Sequence, residues 1–162
     1  VEESMMDTII VNGRYDIGPY SRYVEAYNTV INCLGICDRP LILERLPIDR
    51  LARVYEAATG IEMTAEEMTM AGERIFTVEK LFNKRHDHKR SDDAVPERFF
   101  RETMRTTDGE EHAPLKDEEW QSLLTSYYES HGWDPATGWP TREALQRLGV
   151  EELDSEVGAV AG

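Results

Sequence analysis

Cysteine is scarce in this chain: Cys33 and Cys37 are the whole complement. Two cysteines cannot frame a disulfide scaffold, so a small secreted, loop-rich fold is excluded and a reducing, cytoplasmic setting is expected. Long apolar runs are missing too, and none approaches the roughly 20 residues that a membrane span requires. The start, Val1-Glu2-Glu3-Ser4, is acidic and has no apolar core segment, so it does not read as a secretory signal. A first residue other than Met reads as processing or as a cut from a longer chain. Positive charge is short: 18 Lys and Arg stand against 32 Asp and Glu, for a net charge of -14. A field of that sign repels phosphate backbones and anionic lipid surfaces, so neither nucleic acid nor membrane is an expected partner. The four histidines, His86, His88, His112 and His131, lack the spacing of a zinc site.

What remains suits a globular protein. With 162 residues, 40% of them hydrophobic, the chain can bury one core or two small helical ones. The expected organisation is one helical domain over residues 1–162, or two subdomains at about 1–62 and 63–150, with residues 151–162 as a frayed tail.

Apolar periodicity supplies the elements. Tyr20, Tyr23, Val24, Tyr27, Val30, Ile31 and Leu34 recur at three- and four-residue steps, which predicts a helix over Ser21 to Gly35 with Ser21 as N-cap. A short segment, Arg39 to Leu46, lies between Pro40 and Pro47. A second helix reads from Ile48 to Thr59 with Ile48, Leu51, Tyr55 and Ala58 on one face and Gly60 as its stop. The third opens on a capping box, Thr64 with Glu67, and runs to about Lys84. Its apolar stripe is Met68, Ala71, Ile75, Val78 and Phe82, and Gly72 offers a place for a neighbouring helix to approach. Residues from Arg85 to Pro114 are polar and irregular, the kind of connection that is functional or packs on another domain. A fourth helix reads from Asp117 to His131, with Trp120, Leu123, Leu124, Tyr127 and Tyr128 inward and Gly132 after it. Thr141 opens a last short helix with Leu145 and Leu148 apolar and Gly149 as its stop. No segment alternates at period two, so the expected class is all-α and multihelical.

Complete chemistry is not visible in these residues. From spacing alone, Cys33 and Cys37 read as small buried hydrophobes. A single cysteine donated to an iron–sulfur cluster that another domain completes is the other reading, because two cysteines cannot fill four ligand places. His86 and His88 flank Asp87 in what reads as a solvated loop. Glu66, Glu67, Glu118 and Glu119 sit at helix starts, where the macrodipole already accounts for them.

Three stretches, in series, resemble the C-terminal region of the tungsten-dependent aldehyde ferredoxin oxidoreductase family. Asn32-Cys33-Leu34-Gly35-Ile36-Cys37 is similar to the family's D-x-x-G-L-C element. Glu73-Arg74-Ile75-Phe76-Thr77-Val78-Glu79-Lys80-Leu81-Phe82-Asn83, then Arg85 and Ser91-Asp92-Asp93-Ala94-Val95-Pro96-Glu97-Arg98, is similar to R-I-x-x-x-E-x-x-F-N-x-R followed by D-D-x-x-P-x-R. Tyr127-Tyr128-Glu129, Gly132-Trp133-Asp134, Gly138-Trp139-Pro140-Thr141-Arg142-Glu143 and Leu148-Gly149 are similar to the family's closing run. The resemblance implies an oxidoreductase that converts an aldehyde to a carboxylic acid with ferredoxin as electron acceptor. It implies a tungsten ion held by two pterin dithiolenes (the molybdopterin type) and a 4Fe–4S cluster. It implies Cys37 as the fourth cluster ligand and Asn32, Gly35, Ile36 and Cys37 as the cofactor-binding element. Asn32 stands where the family has an Asp that accepts hydrogen bonds from a pterin; its carbonyl still accepts, without the charge.

The family's sheet domain, its other cluster cysteines and its acid–base residues lie upstream, so no catalytic residue is expected here. The chain alone is expected to bind no cofactor and to be inactive. The partners implied are the remaining domains of the parent enzyme, ferredoxin and a small aldehyde substrate. Two alternatives stay open: a free-standing helical protein-binding module of the same descent without redox activity, and an unrelated helical domain.

Overall fold

A computed structural model describes residues 10–11, 14–37 and 46–154 of the chain. A short antiparallel pair, β1 (Ile10–Val11) with β2 (Arg14–Tyr15), leads into α1 (Ile17–Cys33). Then come α2 (Ile48–Thr59), α3 (Ala65–Arg85), a 3-10 turn at Arg90–Asp92 and the one-turn α4 (Arg98–Arg101). A hairpin of β3 (Met104–Arg105) and β4 (Glu111–His112) precedes α5 (Asp117–His131) and α6 (Arg142–Leu148). Residues 151–154 add one helical turn. The class is multihelical, as expected, and the strands that periodicity missed are two residues long each. The connection expected at Arg39–Leu46 lies outside the described residues except for Leu46, and the tail beyond residue 154 lies outside them too.

The helix ends follow their caps. In α3, Thr64 Oγ1 accepts from Glu67 N at 3.1 Å and Glu67 Oε2 accepts from Thr64 N at 2.8 Å, which is the expected capping box. Glu66 and Glu67, and Glu118 and Glu119, occupy the first turns of α3 and α5. The start of α1 is a correction: it begins at Ile17, not at Ser21. Asp16 caps it, accepting from Gly18 N at 3.2 Å. Pro19 falls in the first turn, where its missing N–H deprives the helix of nothing.

Three apolar clusters form the interior. The first joins α1 and α2 to the start of α3 through Tyr27, Ile31, Leu51 and Met68. The second joins the end of α3 to α6 through Leu81, Leu145 and Leu148. The third gathers Leu124, Tyr128 and Trp133, with Phe76 of α3 packed against them. Thus α3 contributes to every cluster. The helices approach closely where side chains vanish. A Cβ on Gly72 would meet Ala26 O at 2.3 Å, the close approach that the sequence suggested, and a Cβ on Gly18 would meet Ser126 O at 2.5 Å.

Three faces differ from the periodic reading. In α1, Tyr20 of the expected apolar stripe is exposed. In α2, Ala58 is exposed and Ala52 is buried in its place. In α3 the difference is larger. Its buried residues after Met68 are Gly72, Glu73, Thr77, Lys80 and Leu81, while Ile75, Val78 and Phe82 are exposed. The helix turns inward a face whose charged groups are matched by partners. Glu73 lies between Arg22 of α1 at 2.6 Å and Arg147 of α6 at 2.8 Å. Lys80 is paired with Asp93 at 2.8 Å. Periodicity of apolar residues cannot register a buried face built on ion pairs.

Candidate functional site

The Asn32–Cys37 segment is the end of α1. Gly35 adopts φ +68°, Gly35 N–H donates to Asn32 O at 3.1 Å, and Ile36 N–H donates to Ile31 O at 2.9 Å. This is a Schellman stop, and it requires a left-handed residue at the position Gly35 fills. Among the described residues nothing lies within 4 Å of where a Gly35 Cβ would stand, so it is the backbone angle that favours glycine. Leu34 and Ile36 pack against the first cluster and anchor the turn. Asn32, Cys33, Gly35 and Cys37 are left exposed. The turn therefore alternates between residues that hold it and residues that it presents.

Both thiols are exposed and neither is in a disulfide. The buried-hydrophobe reading of Cys33 and Cys37 is thereby corrected: each falls on the outward side of the helix stop. Asn32, Gly35, Ile36 and Cys37 are brought together in one turn, with the Ile36 side chain directed inward. Among the described residues, no three side chains of His, Cys, Asp or Glu converge as a metal site. One exposed sulfur fits a ligand offered to a cluster completed elsewhere, since Fe–S clusters need soft thiolate donors.

A second polar assembly went unnoticed in the sequence. Asp93 accepts from Lys80 Nζ at 2.8 Å and from the Tyr128 hydroxyl, and its Oδ1 lies 2.8 Å from His88 Nε2. Burial opposes its ionisation, but the bonds from Lys80, Tyr128 and His88 outweigh that and hold its carboxyl below the usual range. Burial, then the Asp93 carboxylate, push the Tyr128 hydroxyl well above its ordinary value. Arg90 stacks over the Tyr128 ring at 5.2 Å and donates to Pro135 O at 2.6 Å. Trp139 Nε1 donates to His88 O at 3.1 Å. These contacts tie the loop after α3 to α5 and to the Trp133–Pro140 segment. His88 is accordingly held rather than free in solvent, whereas His86 is exposed and packs on Phe82. The signal that could have found the assembly is the pairing of Asp93 with Tyr128 in the second and third motif stretches.

Beside Asp93 lies an open cleft of about 490 Å³, lined by Ile17, Val95, Trp120, Leu123 and Tyr127 among others. At a rise of 1.5 Å per residue, Ile17 and Cys33 are roughly 24 Å apart along α1, so cleft and cysteine turn occupy opposite ends of the helix. Nearby, His131 is buried and lies 3.0 Å from Glu25, which also accepts from the Tyr127 hydroxyl at 3.2 Å. Burial, then the Glu25 charge, push the Tyr127 hydroxyl far above its usual range. No helix among the described residues is long and apolar enough to cross a membrane.

Comparison with known proteins gives the family and the fold. The family described as aldehyde ferredoxin oxidoreductase, domains 2 and 3, matches residues 12–150. The tungsten-containing aldehyde ferredoxin oxidoreductase of Pyrococcus furiosus is 33% identical over 109 residues, 67% of this chain and 17% of that protein. The protein of the same name from Thermococcus kodakarensis is 32% identical over 127 residues, 78% of this chain and 20% of that one. Among solved structures, the active site complex BamBC of benzoyl coenzyme A reductase with 1,5-dienoyl-CoA aligns with a TM-score of 0.70 at 23% identity, covering 91% of this chain and 21% of that one. That likeness carries the fold alone. The chain spans about a fifth of the length of the relatives that it matches.

Proposed function

This chain belongs to the aldehyde ferredoxin oxidoreductase family, and we propose that it serves as the C-terminal part of a tungsten-pterin, iron–sulfur enzyme. The reaction proposed is oxidation of an aldehyde to a carboxylic acid with ferredoxin as electron acceptor. In this reading the chain is one wall of a composite site and is inactive by itself.

The observation that supports the reading best is the helix stop at Asn32–Cys37, which presents a thiol and an amide outward from a rigid, core-anchored turn. Cys37 would give its thiolate sulfur to the cluster as one of four donors. Asn32 would accept a hydrogen bond from the pterin through its carbonyl. Gly35 would keep the approach open, because nothing among the described residues lies within 4 Å of where its Cβ would stand. When bound, the two cofactors would supply the two-electron oxidation and its onward transfer; the protein's share is to hold and orient them and to exclude water.

Cysteine replacement in the parent enzyme tests this. Cys37→Ala is expected to lose the cluster, read by anaerobic iron and sulfide analysis and by the electronic spectrum. Cys33→Ala is expected to retain it. Full cluster occupancy in Cys37→Ala would refute the assignment.

A further inference from the structure

Cations sit on aromatic rings repeatedly in this fold. Lys80 Nζ lies 5.5 Å from the Tyr128 ring centroid and 5.3 Å from that of Trp133, Lys84 Nζ lies 4.9 Å from that of Trp139, and Arg90 stacks on Tyr128. Two of the three tryptophans thus carry a lysine. Among the described residues Trp120 carries no cation, and it lines the open cleft beside Asp93 together with Tyr127. The other lining residues are Ser21, Asp92, Asp93 and aliphatic side chains, with no Lys, Arg or His among them. The two carboxylates are not equivalent. Asp93 is already matched by Lys80, Tyr128 and His88. Asp92 makes no ion pair among the described residues: it accepts from Lys89 N at 2.7 Å, while the Lys89 ammonium is bonded to Asp87 at 2.9 Å. The Ser21 hydroxyl makes no hydrogen bond among the described residues. Tyr127 donates to the Glu25 carboxylate at 3.2 Å, which adds electron density to its ring.

We propose that this cleft binds an organic cation from solution, a primary ammonium carried on an apolar body. The aromatic surface of Trp120 and Tyr127 attracts the ammonium through the ring quadrupole. Asp92 supplies the counter-charge and Ser21 Oγ a second acceptor, which suits a head group with three donors and no acceptor. The aliphatic walls take the hydrocarbon body. A volume of about 490 Å³ lies within the ordinary range of small-molecule sites. Charge complementarity selects this occupant over the others. A cleft without a basic lining residue, in a chain of net charge -14, repels carboxylates and phosphates. A neutral apolar molecule would strip water from Asp92 and give it no partner in return. The cleft stands at the opposite end of α1 from Cys37, so this proposal does not depend on the redox reading.

The test titrates the full 162-residue chain with three probes that share one apolar body: phenethylammonium, phenethyl alcohol and phenylacetate. Binding is read from the indole N–H resonances, with the Trp120 signal assigned by its loss in Trp120→Leu, and affinities come from calorimetry. Phenethylammonium is expected to shift the Trp120 signal and to bind at least about tenfold more tightly than phenethyl alcohol. Phenylacetate is expected not to bind. Asp92→Asn keeps an acceptor for Lys89 N–H, and it is expected to weaken the ammonium at least about tenfold, toward the affinity of the alcohol. Trp120→Leu keeps the wall apolar, and it is expected to weaken the ammonium about fivefold while leaving the alcohol within about twofold. Equal affinity for alcohol and ammonium would overturn the proposal, because the cleft would then be a plain apolar groove. An unchanged ammonium affinity in both variants would overturn it as well, since the cation would then bind elsewhere. So would the lack of any saturable Trp120 shift up to about 10 mM phenethylammonium.

Discussion

Asp93 gathers three donors on one carboxylate, and its loss should be felt in stability rather than in helix content. Asp93→Asn leaves the Lys80 ammonium, 10% exposed, facing an amide that cannot neutralise it. The expected cost is about 2 kcal/mol in urea denaturation at neutral pH, as for other broken hydrogen-bonded charges. The acid limb should change as well. The folded carboxyl is held below its ordinary value, so the unfolded chain takes up the proton first as pH falls. The contribution of Asp93 is complete above the ordinary carboxylate range and is lost as pH drops through the lower, folded value. Wild type should thus lose more stability than Asp93→Asn between about pH 5 and pH 2. Equal slopes would show that the charge of Asp93 does not matter. Glu73 makes a parallel case. Its carboxylate, 8% exposed, is the shared counter-charge of Arg22 and Arg147. Glu73→Gln removes the counter-charge of Arg22 and Arg147 at the junction of α1, α3 and α6; both guanidiniums reach solvent, so a cost of roughly 1–2 kcal/mol is expected.

Among the elements, one helix stop recurs. Gly35, Gly132 and Gly149 each take a left-handed angle, and the residue after each donates back to the sixth position: Ile36 to Ile31, Trp133 to Tyr128, Val150 to Leu145. Trp133 and Val150 are buried after their stops, whereas the turn at Gly35 ends on exposed Cys37. The same local chemistry serves packing twice and presentation once. Two glycine substitutions separate backbone from packing. Gly35→Ala meets nothing within 4 Å and should cost only the left-handed penalty, about 1 kcal/mol. Gly72→Ala drives a methyl group onto Ala26 O and should cost about 3 kcal/mol, because backbone must move. Thermal melting of the two variants checks the order; a reversed order would mean that α1 and α3 can separate at little cost.

For the molecule as a whole, α3 is the member common to the three clusters, through Met68, Phe76 and Leu81. Division into subdomains at about residue 62 would leave α1 and α2 on one side and α3 on the other, although α1 packs against both α3 and α5. A single cooperative calorimetric transition is therefore expected. Two resolved transitions would favour the divided organisation.

Sequence alone determined whatever is set within a turn or two of chain. The capping box at Thr64, the glycine stops, the acidic helix starts and the span of α2 are local hydrogen-bond and dihedral events, which neighbouring residue types decide. The end of α1 near Gly35 was legible for the same reason, but the outward placing of Cys33 and Cys37 was not, because spacing alone had them buried. The direction in which α3 faces was decided only by tertiary structure. Its inward side is set by partners 51 residues earlier, at Arg22, and 74 residues later, at Arg147, and by Asp93 on a loop without regular structure. Coulomb attraction between groups distant in sequence leaves no periodic trace, whereas the apolar row at Ile75, Val78 and Phe82 does. Periodicity therefore took Ile75, Val78 and Phe82 for the inner stripe of α3, whereas the tertiary structure turns them outward.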